Sequence, residues 1–333
     1  MKAVVLQTYN NNLIRAMLGL KVEEKLTPEP LAGQVQIKME AAPCNPSDIA
    51  FLRGAYNIKK TIPCIPGFEG CGIITKVGAN IDKKFIGKRV SCFSQEDSGG
   101  TWSEYVVVNI TDCISLKDEM PIEQAACFAV NPFTAYGLYE IAQSEDCEAI
   151  IQNASTGQVG RFIRVFAKGD KMNIINIVRR PEHVARLKSE GEKYVLDSSA
   201  EGFMEELKTL AHKLNATMAY DAVGGEMTAQ LLNAMPPDSE VILYGGLSGN
   251  QINGLDPMGV IFDRKILSGF NLLDWIENLE DGEFEEVSDY LQDLFIEGTL
   301  KTDIQGSYSY EDVVSGIRAY IGNMSAGKIL IKQ

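Results

Sequence analysis

The chain has 333 residues, which is long enough for two domains. Of these residues 45% are hydrophobic and 23% are charged, a composition typical of folded globular proteins. Its formal net charge of −14 argues against nucleic acids and anionic membranes as partners, since both repel an acidic surface. No apolar run has the length of a membrane span, and the apolar segment 1–7 is too short for a signal peptide, so we expect a cytoplasmic protein.

The cysteines and histidines limit the metal chemistry that can be expected. The seven cysteines are scattered without zinc-knuckle spacing, which indicates free thiols in a reducing compartment. Only two histidines are present, His183 and His212, and both lie in predicted surface helices. We therefore expect neither a histidine-centred metal site nor a Ser-His-Asp triad.

The N-terminal part of the chain, roughly its first 120 residues, is predicted to be rich in strands. Period-two alternation or apolar runs bounded by glycine predict strands over 1–7, 35–39, 70–78, 87–93 and 100–108. Short strands separated by Gly and Pro predict a small β-barrel.

From Pro121 onward the pattern changes to alternating helices and strands. Helical spacing is found over 122–128, 134–139 and 203–214, and strands are predicted over 149–151, 173–178, 194–197, 218–221 and 240–244. This alternation is typical of a doubly wound parallel sheet. An amphipathic helix over 284–296 and a strand over 327–331 follow.

The segment from Glu148 to Arg180 reads as strand, glycine turn, helix and strand, which is the layout that seats a pyrophosphate on a helix N-terminus. The turn resembles G-x-G-x-x-G, with serine at the first glycine position and glycine at the other two. The predicted cofactor-binding residues are Ser155, Thr156, Gly157, Gln158, Val159 and Gly160. An ordinary strand-to-helix turn is the alternative.

The residues after the second strand of this unit indicate which dinucleotide binds. Arg179 and Arg180 stand where NAD sites usually carry an acidic residue for the ribose 2′-hydroxyl. Because a guanidinium suits a 2′-phosphate, the sequence predicts NADPH rather than NADH. Solvated surface charges at a helix start are the alternative reading. Gly245 and Gly246 follow another predicted strand and are further cofactor-binding candidates, or plain turn glycines.

Short segments distributed over nearly the whole chain resemble those of one enzyme family. They are 45–48, 54–56, 65–72, 87–90, 100–105, 131–136, 155–160, 221–225 and 327–328. In this order they resemble the zinc-free medium-chain dehydrogenases/reductases, in particular the NADPH quinone oxidoreductases and the 2-enoyl thioester reductases. The resemblance implies an α/β fold and a homodimer. It also implies a GroES-like β-barrel catalytic domain formed by 1–122 and 268–333, and a doubly wound Rossmann NADPH-binding domain formed by 123–267.

The resemblance also bears on zinc. Asn45, Phe68 and Val130 stand where the zinc-dependent alcohol dehydrogenases carry their catalytic ligands, and none is a good zinc ligand. The family likeness therefore implies a metal-free reduction of a small-molecule substrate, either a quinone or an activated double bond such as an enoyl thioester.

Likeness to the enoyl thioester reductases implies that Tyr56 is the proton donor, although quinone reductases often carry a tyrosine there that only lines the pocket. It further implies that Asn45 contacts the nicotinamide ribose or the substrate, that Thr134 contacts the nicotinamide, and that Phe68 and Trp275 line the substrate pocket.

The nature of the substrate and of the activity stays open at this point. Segments 131–136 and 269–275 resemble the enoyl reductases, whereas 66–70 resembles the quinone reductases. Two alternatives to this reductase are a non-enzymatic NADPH-binding structural or regulatory protein and an alcohol dehydrogenase with altered zinc ligands.

Overall fold

The structure is a computed structural model that describes residues 1–97 and 99–333. The chain forms two compact units, which we call unit 1 (1–131 with 285–333) and unit 2 (132–284). Among the described residues, none of the helices combines the length and apolarity needed to cross a bilayer.

The described strands are β1 (Lys2–Leu6), β2 (Leu20–Glu24), β3 (Gln34–Pro43), β4 (Glu69–Val77), β5 (Arg89–Phe93), β6 (Tyr105–Asn109), β7 (Cys113–Ser115), β8 (Ala149–Gln152), β9 (Asn173–Val178), β10 (Tyr194–Asp197), β11 (Met218–Asp221), β12 (Glu240–Leu243), β13 (Ile266–Gly269), β14 (Ile304–Tyr308) and β15 (Lys328–Ile331). The helices are α1 (Leu13–Leu18), α2 (Pro46–Leu52), α3 (Ile122–Ala125), α4 (Asn131–Ser144), α5 (Gln158–Gly169), α6 (Pro181–Ser189), α7 (Phe203–Lys213), α8 (Glu226–Ala234), α9 (Pro257–Phe262), α10 (Leu272–Glu277), α11 (Glu283–Ile296) and α12 (Val313–Gly322).

Unit 1 is built on a mostly antiparallel sheet in the order β14-β15-β3-β4-β5-β7, with β6 also paired to β3. The predicted strand is confirmed in β3, where Val35, Ile37 and Met39 are buried in one apolar cluster, but Gln36 between them is buried as well. A second apolar core contains α2 and α12 together with Phe68 and Trp102. These two cores give the candidate catalytic side chains a rigid base.

Unit 2 contains a parallel sheet in the order β10-β9-β8-β11-β12-β13. The order reverses on either side of β8, which confirms the predicted doubly wound topology. The strands are short apolar runs buried between helices, including α7 and α8. In such sheets ligands bind at the carboxyl ends of the strands beside the reversal point, which here is the end of β8.

Two details differ from the predictions. The strand predicted over 100–108 begins only at Tyr105, because the preceding residues pack tightly on segment 65–67. A Cβ on Gly100 would lie 2.2 Å from the carbonyl oxygen of Ile65. The boundaries between the compact units also lie at 131/132 and 284/285, whereas the predicted domain boundaries are 122/123 and 267/268. In unit 2, β13 pairs with β12, so the sheet extends beyond the predicted end of the Rossmann domain.

Candidate active site

The glycine turn lies between β8 and α5, at the reversal point of the unit 2 sheet. Gly157 is the N-cap residue of α5, and its N–H donates to the carbonyl oxygen of Ala154 at 2.7 Å. A Cβ on Gly160 would lie 3.0 Å from the Cα of Ser155, so only glycine lets the helix approach the turn this closely. The first turn of α5, with Gln158 and Val159, therefore presents helix N-terminal N–H groups beside the sheet edge.

Ser155 is in the turn, as the sequence predicts, but its side chain faces the protein interior. Its side chain is fully buried, and its hydroxyl is within hydrogen-bond distance of the carbonyl oxygens of Gln152 (2.9 Å) and Ile177 (3.2 Å). The hydroxyl thus ties the turn to β8 and β9, so the Ser155 side chain, predicted to bind the cofactor, has a structural role instead. Thr156 is also largely buried.

One buried polar atom of the turn is left without a partner. The Oε1 atom of Gln158 is buried and has no hydrogen bond with any described residue. A buried acceptor of this kind needs a donor to offset its desolvation. Together with the close approach that the glycines permit, it leaves the turn with an open acceptor that fits a ligand bringing its own hydrogen-bond donor.

The neighbouring edge of the sheet is organised by Asp221, which ends β11. Its buried carboxylate accepts hydrogen bonds from Asn153 Nδ2, from the N–H groups of Val223 (2.7 Å) and Gly224 (3.0 Å), and from Thr228 Oγ1 (2.6 Å). Four donors around one carboxylate hold the ends of β8 and β11 in a fixed relation. Sequence reasoning selected neither Asp221 nor Asn153 as a site residue, although an acidic residue at the end of a predicted strand, three positions before Gly224-Gly225, was a usable signal.

The glycine pair after β12 lies at the same edge. A Cβ on Gly245 would lie 2.8 Å from the carbonyl oxygen of Ala222, whereas one on Gly246 would meet nothing within 4 Å. Leu247 donates its N–H to the same carbonyl oxygen at 3.0 Å. Gly245 therefore permits close packing of two edge loops, while Gly246 leaves open space where a ligand has room.

Arg179 and Arg180 directly follow β9, as predicted, and both are exposed. Arg180 is the N-cap residue of α6 and lies 3.9 Å from Glu182, a weak contact at this exposure. Burial lowers the pKa of His183, and the two arginines lower it further by charge repulsion. This end of β9 is therefore a local positive site in an acidic protein.

Thr134 and Trp275 also belong to unit 2. Thr134 is largely buried in the first turn of α4. The indole N–H of Trp275 donates to Glu140 at 3.0 Å, and a Cβ on Gly137 would lie 2.9 Å from the indole ring. Glu140 and Gly137 of α4 thus fix the orientation of Trp275, and neither residue was predicted.

In unit 1, Tyr56 follows α2 and is half-buried. Its ring packs against Phe68 with the ring centroids 5.5 Å apart, and its hydroxyl accepts a hydrogen bond from Gln95 Nε2 at 3.0 Å. Burial raises the pKa of Tyr56 above its ordinary value, while the Gln95 hydrogen bond opposes this rise. The phenol is therefore protonated at neutral pH.

Phe68 is only 1% exposed, so it supports the Tyr56 ring from inside the core rather than lining a substrate pocket. This corrects the predicted role of Phe68. The physical reason is that Phe68 is enclosed by Phe51, Tyr56 and the Lys60 ammonium group.

Asn45 belongs to a buried polar cluster that the sequence did not predict. Its Nδ2 donates to Glu69 Oε2 at 2.8 Å, and its Oδ1 accepts from the ammonium group of Lys328. The other oxygen of Glu69 accepts the N–H of Val130 at 2.9 Å. The amide oxygen and one amide N–H of Asn45 are thus hydrogen-bonded within the protein. At most one N–H is left for the predicted contact with ribose or substrate.

Two carboxyl groups in this region are removed from water. Burial raises the pKa of Glu69 to about 7 and that of Asp48, another fully buried residue, to about 7. The positive charge of Lys328 opposes both rises. Within residues 1–97 and 99–333, no group of three His, Cys, Asp or Glu side chains is arranged to hold a metal ion.

Comparison with known proteins extends this description. Residues 31–118 match the model of the alcohol dehydrogenase GroES-like domain, and residues 159–293 match the model named zinc-binding dehydrogenase. The mitochondrial enoyl-(acyl-carrier-protein) reductase of Mus musculus is 33% identical over 272 residues, which are 80% of this chain and 72% of the relative. That of Arabidopsis thaliana is 30% identical over 276 residues, covering 81% and 73%. A solved structure from Mesorhizobium loti, assigned as an NADPH:quinone reductase, has a TM-score of 0.93 at 30% identity and covers 100% of this chain and 98% of that one.

The doubly wound unit, its glycine turn and these likenesses define a nicotinamide-dependent oxidoreductase. The chain belongs to the medium-chain dehydrogenase/reductase family, in its group of quinone and enoyl reductases. This confirms the resemblance and the fold class that the sequence predicts.

Proposed function

We propose that the protein uses NADPH to reduce a carbon–carbon double bond conjugated to a carbonyl group, as in a 2-enoyl thioester, without a metal ion. The observation that carries this proposal is Tyr56, whose phenol is half-buried, protonated and held by Gln95 through its oxygen. Reduction of such a bond requires a proton as well as a hydride, and a held phenol is a suitable donor. The enoyl reductases among the relatives support this choice of substrate class.

The residues of unit 2 fit NADPH. We propose that Thr156, Gly157, Gln158, Val159 and Gly160 surround its pyrophosphate. The orphaned Gln158 Oε1 suits a ribose hydroxyl, and the exposed guanidinium groups of Arg179 and Arg180 suit the 2′-phosphate. Gly245 and Gly246 would border the cofactor at the sheet edge, and Thr134 would contact the nicotinamide.

When bound, NADPH would supply the hydride for the β-carbon of the double bond. We propose that the Tyr56 hydroxyl donates its proton to the α-carbon, so that the substrate gains two hydrogens and the carbonyl is restored. The Gln95 amide then donates to the phenolate oxygen that remains until solvent returns a proton. Trp275, fixed by Glu140, would form one wall of the acyl pocket.

Zinc independence is part of the proposal. The three positions that hold zinc ligands in the alcohol dehydrogenases carry Asn45, Phe68 and Val130 here. Asn45 is hydrogen-bonded to Glu69 and Lys328, Phe68 is in the apolar core, and Val130 contributes a backbone N–H to Glu69. An alcohol dehydrogenase with altered ligands would contain stoichiometric zinc, which metal analysis of the purified protein would detect.

A quinone is the second candidate substrate, supported by the 0.93 TM-score to the Mesorhizobium loti structure. The deciding assay follows NADPH absorbance with a medium-chain trans-2-enoyl-CoA and with 1,4-benzoquinone, and repeats both with NADH. Turnover of the enoyl-CoA with a preference for NADPH is the expected result. Turnover of the quinone alone would replace the substrate class, and a preference for NADH would overturn the assignment of Arg179 and Arg180. Absence of turnover with every pair would favour a non-enzymatic NADPH-binding role.

We also propose a homodimer formed through β13, the edge strand of the unit 2 sheet. Ile266 is 54% exposed on this strand, and Phe262 at the end of α9 is 70% exposed. An exposed apolar edge strand is a template for pairing with a second copy, which would continue the sheet and cover both side chains.

A further inference from the structure

We propose that Gln95 is a positioning residue for proton transfer, which holds the Tyr56 hydroxyl through its oxygen and leaves the phenol hydrogen directed to the substrate. This inference rests on the proposed function, in which Tyr56 is the proton donor. It adds a residue from a different part of the sequence, the segment that follows β5.

The hydrogen bond has a direction that matters for the chemistry. The Gln95 amide nitrogen donates to the Tyr56 oxygen at 3.0 Å, so it occupies an acceptor site of the hydroxyl and not its hydrogen. No described residue accepts the phenol hydrogen. The Tyr56 ring packs against the Phe68 ring, with the two ring centroids 5.5 Å apart. The hydroxyl is therefore held at its oxygen while its proton stays available.

Gln95 is itself held in place, because its segment is fastened to the segment that carries Tyr56. Asp97 accepts hydrogen bonds from the N–H of Thr61 at 2.8 Å and from its hydroxyl at 2.9 Å. The buried ammonium group of Lys60 donates to the carbonyl oxygen of Gly99. Contacts of Gln95, Asp97 and Gly99 thus join this part of the chain to residues 56–61.

The groups around Tyr56 explain why a hydrogen-bond donor to its oxygen would assist proton transfer. Burial and the charge of Asp48 both oppose formation of a phenolate, whereas the Gln95 hydrogen bond favours it. The nearby positive charge is that of Lys60, whose ammonium group lies 5.5 Å from the centroid of the Phe68 ring that supports Tyr56. Gln95 is the hydrogen-bond donor among the described residues that reaches the phenol oxygen, so the stabilisation of the phenolate after proton transfer depends on it.

The test compares Gln95→Leu with Gln7→Leu in NADPH-dependent turnover of a medium-chain trans-2-enoyl-CoA. Gln7 is a matched control, because it is also a half-buried glutamine of unit 1 whose amide donates to a side chain, that of Glu23, at 2.8 Å. We expect Gln95→Leu to lower kcat by about tenfold to a hundredfold, the range for a lost hydrogen bond to a charged group. The NADPH dissociation constant and the Gln7→Leu activity should remain at wild-type values.

A second variant, Gln95→Glu, gives a readout that a merely structural role would not move. Its carboxylate would accept the phenol hydrogen and block donation at neutral pH, and protonation of this carboxyl group at acidic pH would restore a donor. We therefore expect kcat of Gln95→Glu to recover as pH falls, relative to wild type at each pH. A pH profile parallel to that of wild type would overturn the inference. Recovery of kcat at acidic pH would also show that the Gln95→Glu protein is folded.

Combining the changes separates this inference from the proposed function. If Tyr56 donates the proton and Gln95 acts through it, Gln95→Leu should cause no further loss of kcat in a Tyr56→Phe background. Equal fractional losses in both backgrounds would overturn the role of Gln95 while leaving Tyr56 as donor. Unchanged kcat in Tyr56→Phe alone would instead remove the proposed proton donor.

Discussion

At the scale of single residues, the candidate site depends on how each polar group is partnered. Tyr56 keeps its hydrogen available, whereas Ser155 donates its hydrogen to strand carbonyls and Asn45 is bound at both ends of its amide. Three residues with similar predicted importance therefore have different chemical capacities. The difference lies in their surroundings rather than in their residue type.

The role of Tyr56 is tested by Tyr56→Phe, which removes the hydroxyl and keeps the ring on Phe68. We expect kcat with an enoyl-CoA to fall by about a hundredfold or more, since general acid catalysis is lost, while NADPH affinity stays the same. Steady-state kinetics and fluorescence titration of NADPH measure the two effects. Tyr308→Phe is the control, because Tyr308 packs on the same apolar cluster as Tyr56. Equal activity of the two variants would contradict the assignment.

The arginine pair predicts cofactor preference. Arg179→Ala and Arg180→Ala should each raise KM for NADPH by about tenfold to a hundredfold and leave KM for NADH nearly unchanged, because only NADPH carries the 2′-phosphate. Arg264→Ala serves as the control, since Arg264 is an exposed arginine of unit 2 paired with Asp238. A similar loss for NADH and NADPH would indicate a general role in folding instead.

The buried carboxyl groups predict how stability depends on pH. The pKa of Asp48 is raised from 3.8 to about 7, so between these values the folded state binds a proton that the unfolded state has released. The free energy of unfolding should therefore fall as pH rises from about 4 to about 7. Glu69, with its pKa also raised to about 7, adds to the same slope. Asp48→Asn should therefore reduce the slope to the part that Glu69 contributes, and Asp118→Asn, a change outside the cluster, should leave it unchanged. Urea unfolding at several pH values measures it, and identical slopes for Asp48→Asn and wild type would contradict the prediction.

At the scale of elements, the α5 turn shows what a short motif determines. Gly157 and Gly160 were predicted from spacing alone, and both occupy positions where the backbone approaches closely. Gln95, Glu69 and Lys328 were not predicted as site residues, because they come from β-strand ends or loops far apart in sequence and no local pattern brings them together. A sequence therefore predicts sites that lie within one βα turn better than sites assembled from several strands.

The close approach at Gly160 can be tested with Gly160→Ala. The added Cβ would lie 3.0 Å from the Cα of Ser155 and 3.1 Å from its carbonyl oxygen, so the turn or the helix must shift. We expect a loss of about 1–3 kcal/mol in the free energy of unfolding, together with weaker NADPH binding. Gly169→Ala in the same helix meets nothing within 4 Å and should retain both properties. Thermal unfolding and NADPH titration of the two variants distinguish these outcomes.

At the scale of the whole molecule, the fold class was predictable, and the limits of its units were not. The doubly wound order follows from alternating elements that sequence periodicity reveals. The assignment of segment 268–284 depends on the pairing of β13 with β12 and on the Trp275–Glu140 contact, which are long-range interactions. Neither contact has a signature in the local sequence.

The proposed homodimer is tested at the edge strand. Ile266→Asp places a charge on β13 and should shift the protein from dimer to monomer in size-exclusion chromatography with light scattering. Leu26→Asp introduces the same kind of change at a side chain that is 95% exposed in unit 1 and should leave the dimer intact. A monomeric wild-type protein, or a dimeric Ile266→Asp protein, would overturn the proposed interface.

The contact between Lys328 and Asn45 has a consequence for biosynthesis. Unit 1 is assembled from two separated stretches of chain, and β15, which carries Lys328, pairs with β3 through Leu330↔Pro43. On the ribosome, all of unit 2 emerges before this strand does, so a nascent chain can complete its parallel sheet while Asn45 still lacks its hydrogen-bond donor and Glu69 still lacks a nearby positive charge. A polypeptide interrupted after residue 320 would therefore contain all of unit 2 but would leave Glu69 without Lys328 in an unfinished core of unit 1. Synthesis of Lys328 is thus the step that brings a positive charge to the buried carboxyl group of Glu69.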